Sequence, residues 1–539
     1  MSKGKKTWCI IGILAVTLVL LMPFIYSVIM SFKDFRYAKG LFGSESVGFK
    51  NHLAFMFQTK GKDINYDVIN PDFARVVPNT LVISVIGLFA GAFYTFLSSV
   101  AIGSGKKTVV KGLLTALFAI PAILPTALFM EFIPIEVLMD PESNVKIYLG
   151  IVDGLKMAGL VSIAAFFMKG NVWKESAKCL LLFIAMRLIT FFMIDTSNVM
   201  WIYNDITMQN LDVIESYVYR KSFYEGINYS YSSAVYIVQC VLQFIPAVIG
   251  CVILALICKK KKQGDVHTSD VTCMPFIVMV IIPLTIFGLM FVKNASLLPE
   301  GINTDMVADG YINEFIIAFG SALIVAAAAW GIMMLARNSG VAGIICVALL
   351  CFVGKPVNAD FILIKMVGVY GGLLGTILYN LQMIAPLTLI LTYATKRNRN
   401  KFNDIAAVIV AFVIMFAWYW GDWFGPMIML IERNDYPFSL ILREILSSNG
   451  IFMGEFEYAP LSTALYILIP FVVAAAGLAL AGILKGKADK KTGANNNMSN
   501  NNIYGAPNYA PNYNPNYNPN YNPNYMPDSM PENTDITQQ

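Results

Sequence analysis

Apolar runs close to 20 residues long recur along almost the whole chain, separated by short polar or charged stretches. That length matches an α-helix crossing a hydrocarbon core. The pattern predicts twelve spans, at 8–30, 79–103, 112–131, 148–168, 179–194, 233–258, 273–293, 313–336, 341–356, 374–395, 404–422 and 461–484. The first run exceeds the apolar core of a signal peptide, and no small-residue cleavage site follows it, so it reads as a retained helix. The expected fold is all-α, a polytopic helical membrane protein.

Charge gives these spans an orientation. With the N-terminus in the cytoplasm, the inside segments carry Lys3, Lys5 and Lys6, then Lys106, Lys107 and Lys111, then Lys169, Lys174 and Lys178. Lys259 to Lys262, Arg337, the group Lys396, Arg397, Arg399 and Lys401, and the group Lys485, Lys487, Lys490 and Lys491 follow. Every inside segment is basic, while the outside loops are longer and mixed in charge, as the positive-inside rule requires. Both termini are then cytoplasmic, in a cell (plasma or inner) membrane. Six spans precede "KKKKQ" and six follow it. This predicts two parallel six-helix halves, residues 1–262 and 263–487, related by an axis along the membrane normal. Residues 488–539 carry "PNYNPNYNPNYNPNY", a four-residue repeat with Pro in every unit and no aliphatic side chain to bury. That composition predicts a disordered cytoplasmic tail, a spacer or a tyrosine-based sticker.

Composition agrees: 57% of residues are hydrophobic and 14% charged, against about 25% charged in a soluble domain. The net charge of +5 is explained by loop placement and calls for no nucleic-acid partner. The eight Cys lie mostly inside apolar segments without a CxxC pair, and the only His are His52 and His267, so no metal site is expected. There is no Gly-rich phosphate loop ending in GK[ST]. The chain reads as no enzyme, with no cofactor of its own.

Four stretches carry a family resemblance. "PNTLVIS" opens the second span, "LDVIESYVYRKSFYEGINYSYSSAV" (211–235) precedes the sixth, and "WYWGDWFGPMIMLIERNDYPFSLILREIL" (418–446) lies late in the second half. The first two resemble the first permease subunit of carbohydrate-type ATP-binding-cassette importers, in the lipoprotein- and aldouronate-uptake branch. The last, with "AAAAWGIMMLAR" (326–337), resembles the partner permease subunit. The chain thus looks like both subunits fused. The resemblance implies solute import by alternating access, an extracytoplasmic solute-binding lipoprotein, and separate cytoplasmic ATPase subunits that would bind the ATP. Members of this family carry an "EAA…G" cytoplasmic loop that docks a short helix on the ATPase. Here the corresponding loops are "KGNVWKESAK", with Trp173, Lys174 and Glu175, and "KRNRNKFND", with Arg397 and Arg399. Both are about half the 20 or so residues that two helical turns and their connectors need. Either ATPase contacts are reduced, or the chain is a degenerate permease without ATP coupling, a binding, scaffolding or sensory partner, or it is an uncoupled or ion-driven carrier.

Ionisable groups at membrane depth are costly, which makes each a candidate. Glu131 follows Pro121 and Pro125 and lies either at the outer interface or on the path. Asp153 and Lys156 are three residues apart and can neutralise each other. Arg187 sits near mid-span and either pairs with Glu131 or Asp153 or meets the solute. Asn380 and Gln382 either bind hydroxyl groups or join helices. Trp420 and Asp422 belong either to a sugar-stacking site or to an interfacial aromatic belt. Lys365 is expected on an interfacial helix, snorkelling outward.

Overall fold

The computed structural model describes residues 3–60, 63–124, 137, 144–203, 207–258, 283–285, 288–289, 299–300, 304–396, 401–447, 457–458 and 460–503. Residues Met1–Asp489 form one compact unit and Lys490–Gln539 a second. The first is all-α apart from three short two-stranded antiparallel pairings among the described residues.

Seven helices are long and apolar enough to cross a membrane: Pro71–Ser104, Val145–Phe166, Tyr229–Cys258, Val307–Ser339, Leu373–Thr395, Lys401–Tyr419 and Leu465–Lys487. Two bent pairs, Gly4–Leu20 with Met22–Ser31 and Val341–Val353 with Val357–Val367, raise the number to nine among the described residues. The chain is therefore a multi-pass membrane protein. Eight expected spans overlap these elements closely, and the expected span at 341–356 is the first arm of the second bent pair. The segment expected at 112–131 begins as the short Thr108–Phe118 helix and continues beyond the described residues. The one at 273–293 falls almost wholly outside them. The segment at 179–194 is the Val172–Ile189 helix, which starts seven residues earlier and holds Lys174, Glu175, Lys178 and Arg187. The Pro460–Ile503 helix runs on past residue 487.

The surface is inverted relative to a water-soluble bundle. Val241, Ile245 and Val252 of Tyr229–Cys258 are 68%, 71% and 54% exposed, and Phe89 and Phe93 of Pro71–Ser104 are 71% and 69% exposed. Such continuous apolar faces need lipid against them. Depth within the bundle varies: 72% of the apolar window of Val145–Phe166 is buried, against 28% for Tyr229–Cys258. The former is central and the latter peripheral.

Close helix approach relies on missing side chains, as expected where lipid removes the hydrophobic drive between helices. Pro71–Ser104 and Val145–Phe166 cross at Gly87 and Gly154, and a Cβ on Gly154 would collide with the Gly87 carbonyl. Gly154→Val should therefore cost about 3 kcal/mol, the upper end for overpacking, and lower the detergent melting temperature. Gly331→Ala, with nothing within 4 Å of the added methyl, should leave it unchanged or slightly raised. Equal melting of Gly154→Val and wild type would refute this packing.

Candidate functional site

Four helices stop or change pitch at one place. Val341–Val353 ends at Gly354-Lys355-Pro356, and the chain turns by 96° into Val357–Val367. Gly354 has φ +53, and a side chain there would overlap Met193. Pro356 has no amide hydrogen to continue the helix. Leu373–Tyr379 passes through a 3-10 turn, Asn380–Met383, before Ile384–Thr395 resumes. Lys401–Tyr419 breaks at 420–423, and Val172–Ile189 ends before Thr196–Trp201.

Such ends leave carbonyls without intrahelical donors, which in a membrane must be met by other groups. Tyr236 Oη donates to Val353 O and Gln243 Nε2 to Phe352 O. Asn358 Nδ2 donates to Ser233 Oγ at 2.7 Å and Ser232 Oγ at 3.1 Å, while its Oδ1 accepts from Ala359 N at 2.9 Å. The serines and Tyr236 belong to "SYSSAVY", so this polar stretch holds the broken helix of its own chain.

Between these breaks lies a cavity of about 290 Å³, near the lower end of ligand sites, about 300 Å³ and up. Its lining comes from residues 122–239 and 350–425 and includes Asp153, Lys156, Arg187, Asp195, Glu215, Lys355 and Asp422. Two ion pairs organise one part. Arg187 Nη2 meets Asp153 Oδ2 at 2.6 Å, and Arg187 Nη1 donates to Met193 O at 3.2 Å. Lys156 pairs with Asp195 and lies 4.5 Å from the centre of the Trp418 ring. Asp195 also caps the Thr196–Trp201 helix, accepting from Ser197 N at 3.0 Å. Asp153 thus pairs with Arg187, one of the two partners weighed for that residue, and Lys156 finds Asp195 instead of its helix neighbour. Removing one member of a buried pair costs about 3–5 kcal/mol, so Arg187 and Asp153 serve the fold as well as the lining.

Other polar atoms stay open. Lys355 has no hydrogen bond or ion pair among the described residues. Its ammonium stands over the Tyr379 ring, within electrostatic reach of Asp360, Asp422 and Asp195. Tyr379 Oη, Trp423 Nε1 and Glu215 Oε2 are buried without partners among the described residues. Gln382 lines the cavity, exposed and unbonded among the described residues. Asp422 Oδ1 accepts from Gly425 N at 3.1 Å.

The remaining expected residues divide clearly. Asn380 donates to Ser321 Oγ at 3.1 Å, and its carbonyl accepts from Tyr419 Oη at 2.5 Å, so it joins helices. Trp420 donates to Tyr466 O at 3.0 Å, away from the lining, while its neighbour Trp423 faces the cavity. Trp173, Lys174 and Glu175 form the first turn of Val172–Ile189, where Asn171 Oδ1 caps Lys174 N at 3.1 Å and Glu175 pairs with Lys178 at 2.6 Å. Lys365 is exposed on Val357–Val367, beside the Tyr37 and Tyr370 rings. Glu131, Arg397 and Arg399 lie outside the described residues. Lys355, Glu215 and Asp195 were not expected at the site. Only Lys355 left a signal, the Gly-Lys-Pro interruption of an apolar run.

Fold and cavity together define a polytopic helical membrane protein with a charged, aromatic-lined chamber at its helix breaks. A scan against family models, a search of curated proteins and a search of solved structures found no match.

Glu215 makes the chamber sensitive to pH. Its Oε1 accepts from Ile194 N at 3.0 Å and Gln239 Nε2 at 2.7 Å. Burial nevertheless pushes its carboxyl up to about 8, outweighing those two donors. The folded state then binds the proton more tightly than the unfolded chain, so stability is fullest below the ordinary Glu range and falls as pH rises toward 8. Glu215→Gln, which keeps the acceptor oxygen, should flatten this decline and melt higher than wild type at pH 9. Parallel melting-temperature curves between pH 5 and 9 would contradict the assignment.

Proposed function

We propose that the chain is the membrane-spanning permease of an importer for a carbohydrate or similar polar solute, working by alternating access around this chamber. The observation that carries the reading is a partly open cavity among apolar helices whose lining joins polar atoms unpaired among the described residues to aromatic side chains. Trp418, Trp423 and Tyr379 line the cavity with aromatic surface for the C–H groups of a sugar, and Asp422, Gln382 and Lys355 supply hydrogen-bond partners for its hydroxyls. Broken helices beside a polar site at membrane depth are how transporters place binding groups without exposing backbone to lipid. The lining draws on residues from both parts of the sequence, which agrees with two fused permease halves of six spans each. On this reading the termini are cytoplasmic, a lipoprotein delivers the solute from outside, and separate ATPases drive the cycle.

A second reading has its own support. The link between Val145–Phe166 and Val172–Ile189 is five residues, 167–171, and Trp173, Lys174 and Glu175 are built into the following helix. That leaves no free segment there for a coupling helix, which favours a permease fold kept for binding or scaffolding without ATP.

Uptake decides between them. Lys355→Gln breaks no ion pair, so membrane levels should hold while uptake of the transported sugar, measured with radiolabel in cells carrying the native partners, drops at least about tenfold. Asp422→Asn should act alike. Gentle purification should also bring down an ATPase. Unchanged uptake in both variants would refute the chamber's role; a complex lacking any ATPase would select the second reading.

A further inference from the structure

Independently of transport, we propose a second site, for the phosphate of an anionic phospholipid headgroup, at the lysine cluster around Asp489. Lys111, Lys169 and Lys485 come from three segments far apart in sequence, each among those the charge pattern places on one side of the membrane. In the fold Lys169 and Lys485 meet one carboxylate, that of Asp489, with Lys111 in electrostatic reach of it. Lys169 Nζ lies 2.5 Å from Asp489 Oδ1 and Lys485 Nζ 3.7 Å from Oδ2. Lys111 is in electrostatic reach of Asp489 and Lys169, without a hydrogen bond or ion pair among the described residues.

Three lysines gathered around one carboxylate leave the cluster with more basic than acidic groups. Lys485 is only 2% exposed and rests 5.5 Å from the Phe166 ring centre, so water solvates its ammonium poorly. A cluster of this kind calls for an anion, and basic pockets between helices at a membrane surface bind lipid headgroups.

The surroundings select lipid over a free anion. The Thr108–Phe118 and Pro460–Ile503 helices touch where a Cβ on Gly112 would overlap the Leu478 carbonyl and one on Gly482 the Thr108 carbonyl. On either side of that seam Val110, Leu113, Leu480 and Ile483 are 42%, 48%, 49% and 48% exposed. An acyl chain can lie on these residues while the phosphate reaches Lys111 and Lys169. Trp173, four residues from Lys169 and 47% exposed, is the residue type that sits at headgroup level.

The test is native mass spectrometry of the full chain released from micelles containing phosphatidylglycerol and phosphatidylcholine. Wild type should retain phosphatidylglycerol in preference. Lys111→Gln/Lys169→Gln should weaken that retention about tenfold or more, while Lys111→Arg/Lys169→Arg and the exposed control Lys39→Gln/Lys50→Gln retain it. Equal retention by the Gln double variant and wild type, or no preference over phosphatidylcholine, would overturn the site. Displacement of the lipid by millimolar inorganic phosphate would make it a free-anion site and overturn the lipid assignment.

Discussion

A helix that stops inside a membrane must find partners for its last carbonyls from elsewhere in the chain, because lipid supplies none. The chamber exists because this chain provides them. Tyr236 and Gln243, two turns apart along Tyr229–Cys258, donate to the final carbonyls of Val341–Val353. Asn358 secures the next helix to Ser232 and Ser233. With those bonds made, the backbone can turn by 96° and leave Lys355 pointing at Tyr379 instead of hidden in a continuous helix. Without them the same break would leave bare backbone in hydrocarbon.

The charged groups around the break are arranged by the same economy. Asp153 with Arg187 and Asp195 with Lys156 are ion pairs, and each pair also bonds backbone at a helix end: Asp153 accepts from Asp195 N at 3.3 Å, Arg187 donates to Met193 O, and Asp195 accepts from Ser197 N. They hold the wall. Lys355, Asp422, Gln382, Tyr379 and Trp423 make no hydrogen bond or ion pair with another side chain among the described residues, and the proposed function takes them as the groups left for a solute. It also explains why a buried charge alone was a poor guide to function here: Arg187 is among the most enclosed charges, and its pairing gives it structural work.

Much of this was legible from residues. The apolar runs located nearly every long helix, and the suspicion that Arg187 seeks a carboxylate found Asp153. What escaped had physical causes. Asp195 sits 39 residues from Lys156, a partnership that spacing along one helix cannot reveal. Hydropathy treats the stretch at 341–367 as a span plus an interfacial helix, since Gly-Lys-Pro interrupts it too briefly to change the average. Yet glycine followed by a charge and a proline, inside an apolar run, is the local signature of a break that positions a functional group. Trp420 and Trp423 read alike in "WYWGDW"; only the helix end at Tyr419 decides that one turns to Tyr466 and the other to the chamber.

The most direct test of the central claim is whether the chamber opens to water on each side in turn. A variant with its native cysteines replaced and Gln382→Cys introduced would be exposed to a membrane-impermeant maleimide from either face, with and without the transported solute. The account predicts labelling from both faces, slowed by the solute and redistributed between faces when the cycle is driven. Failure to label from either face under every condition would mean a sealed polar core, and would contradict a solute path at this site.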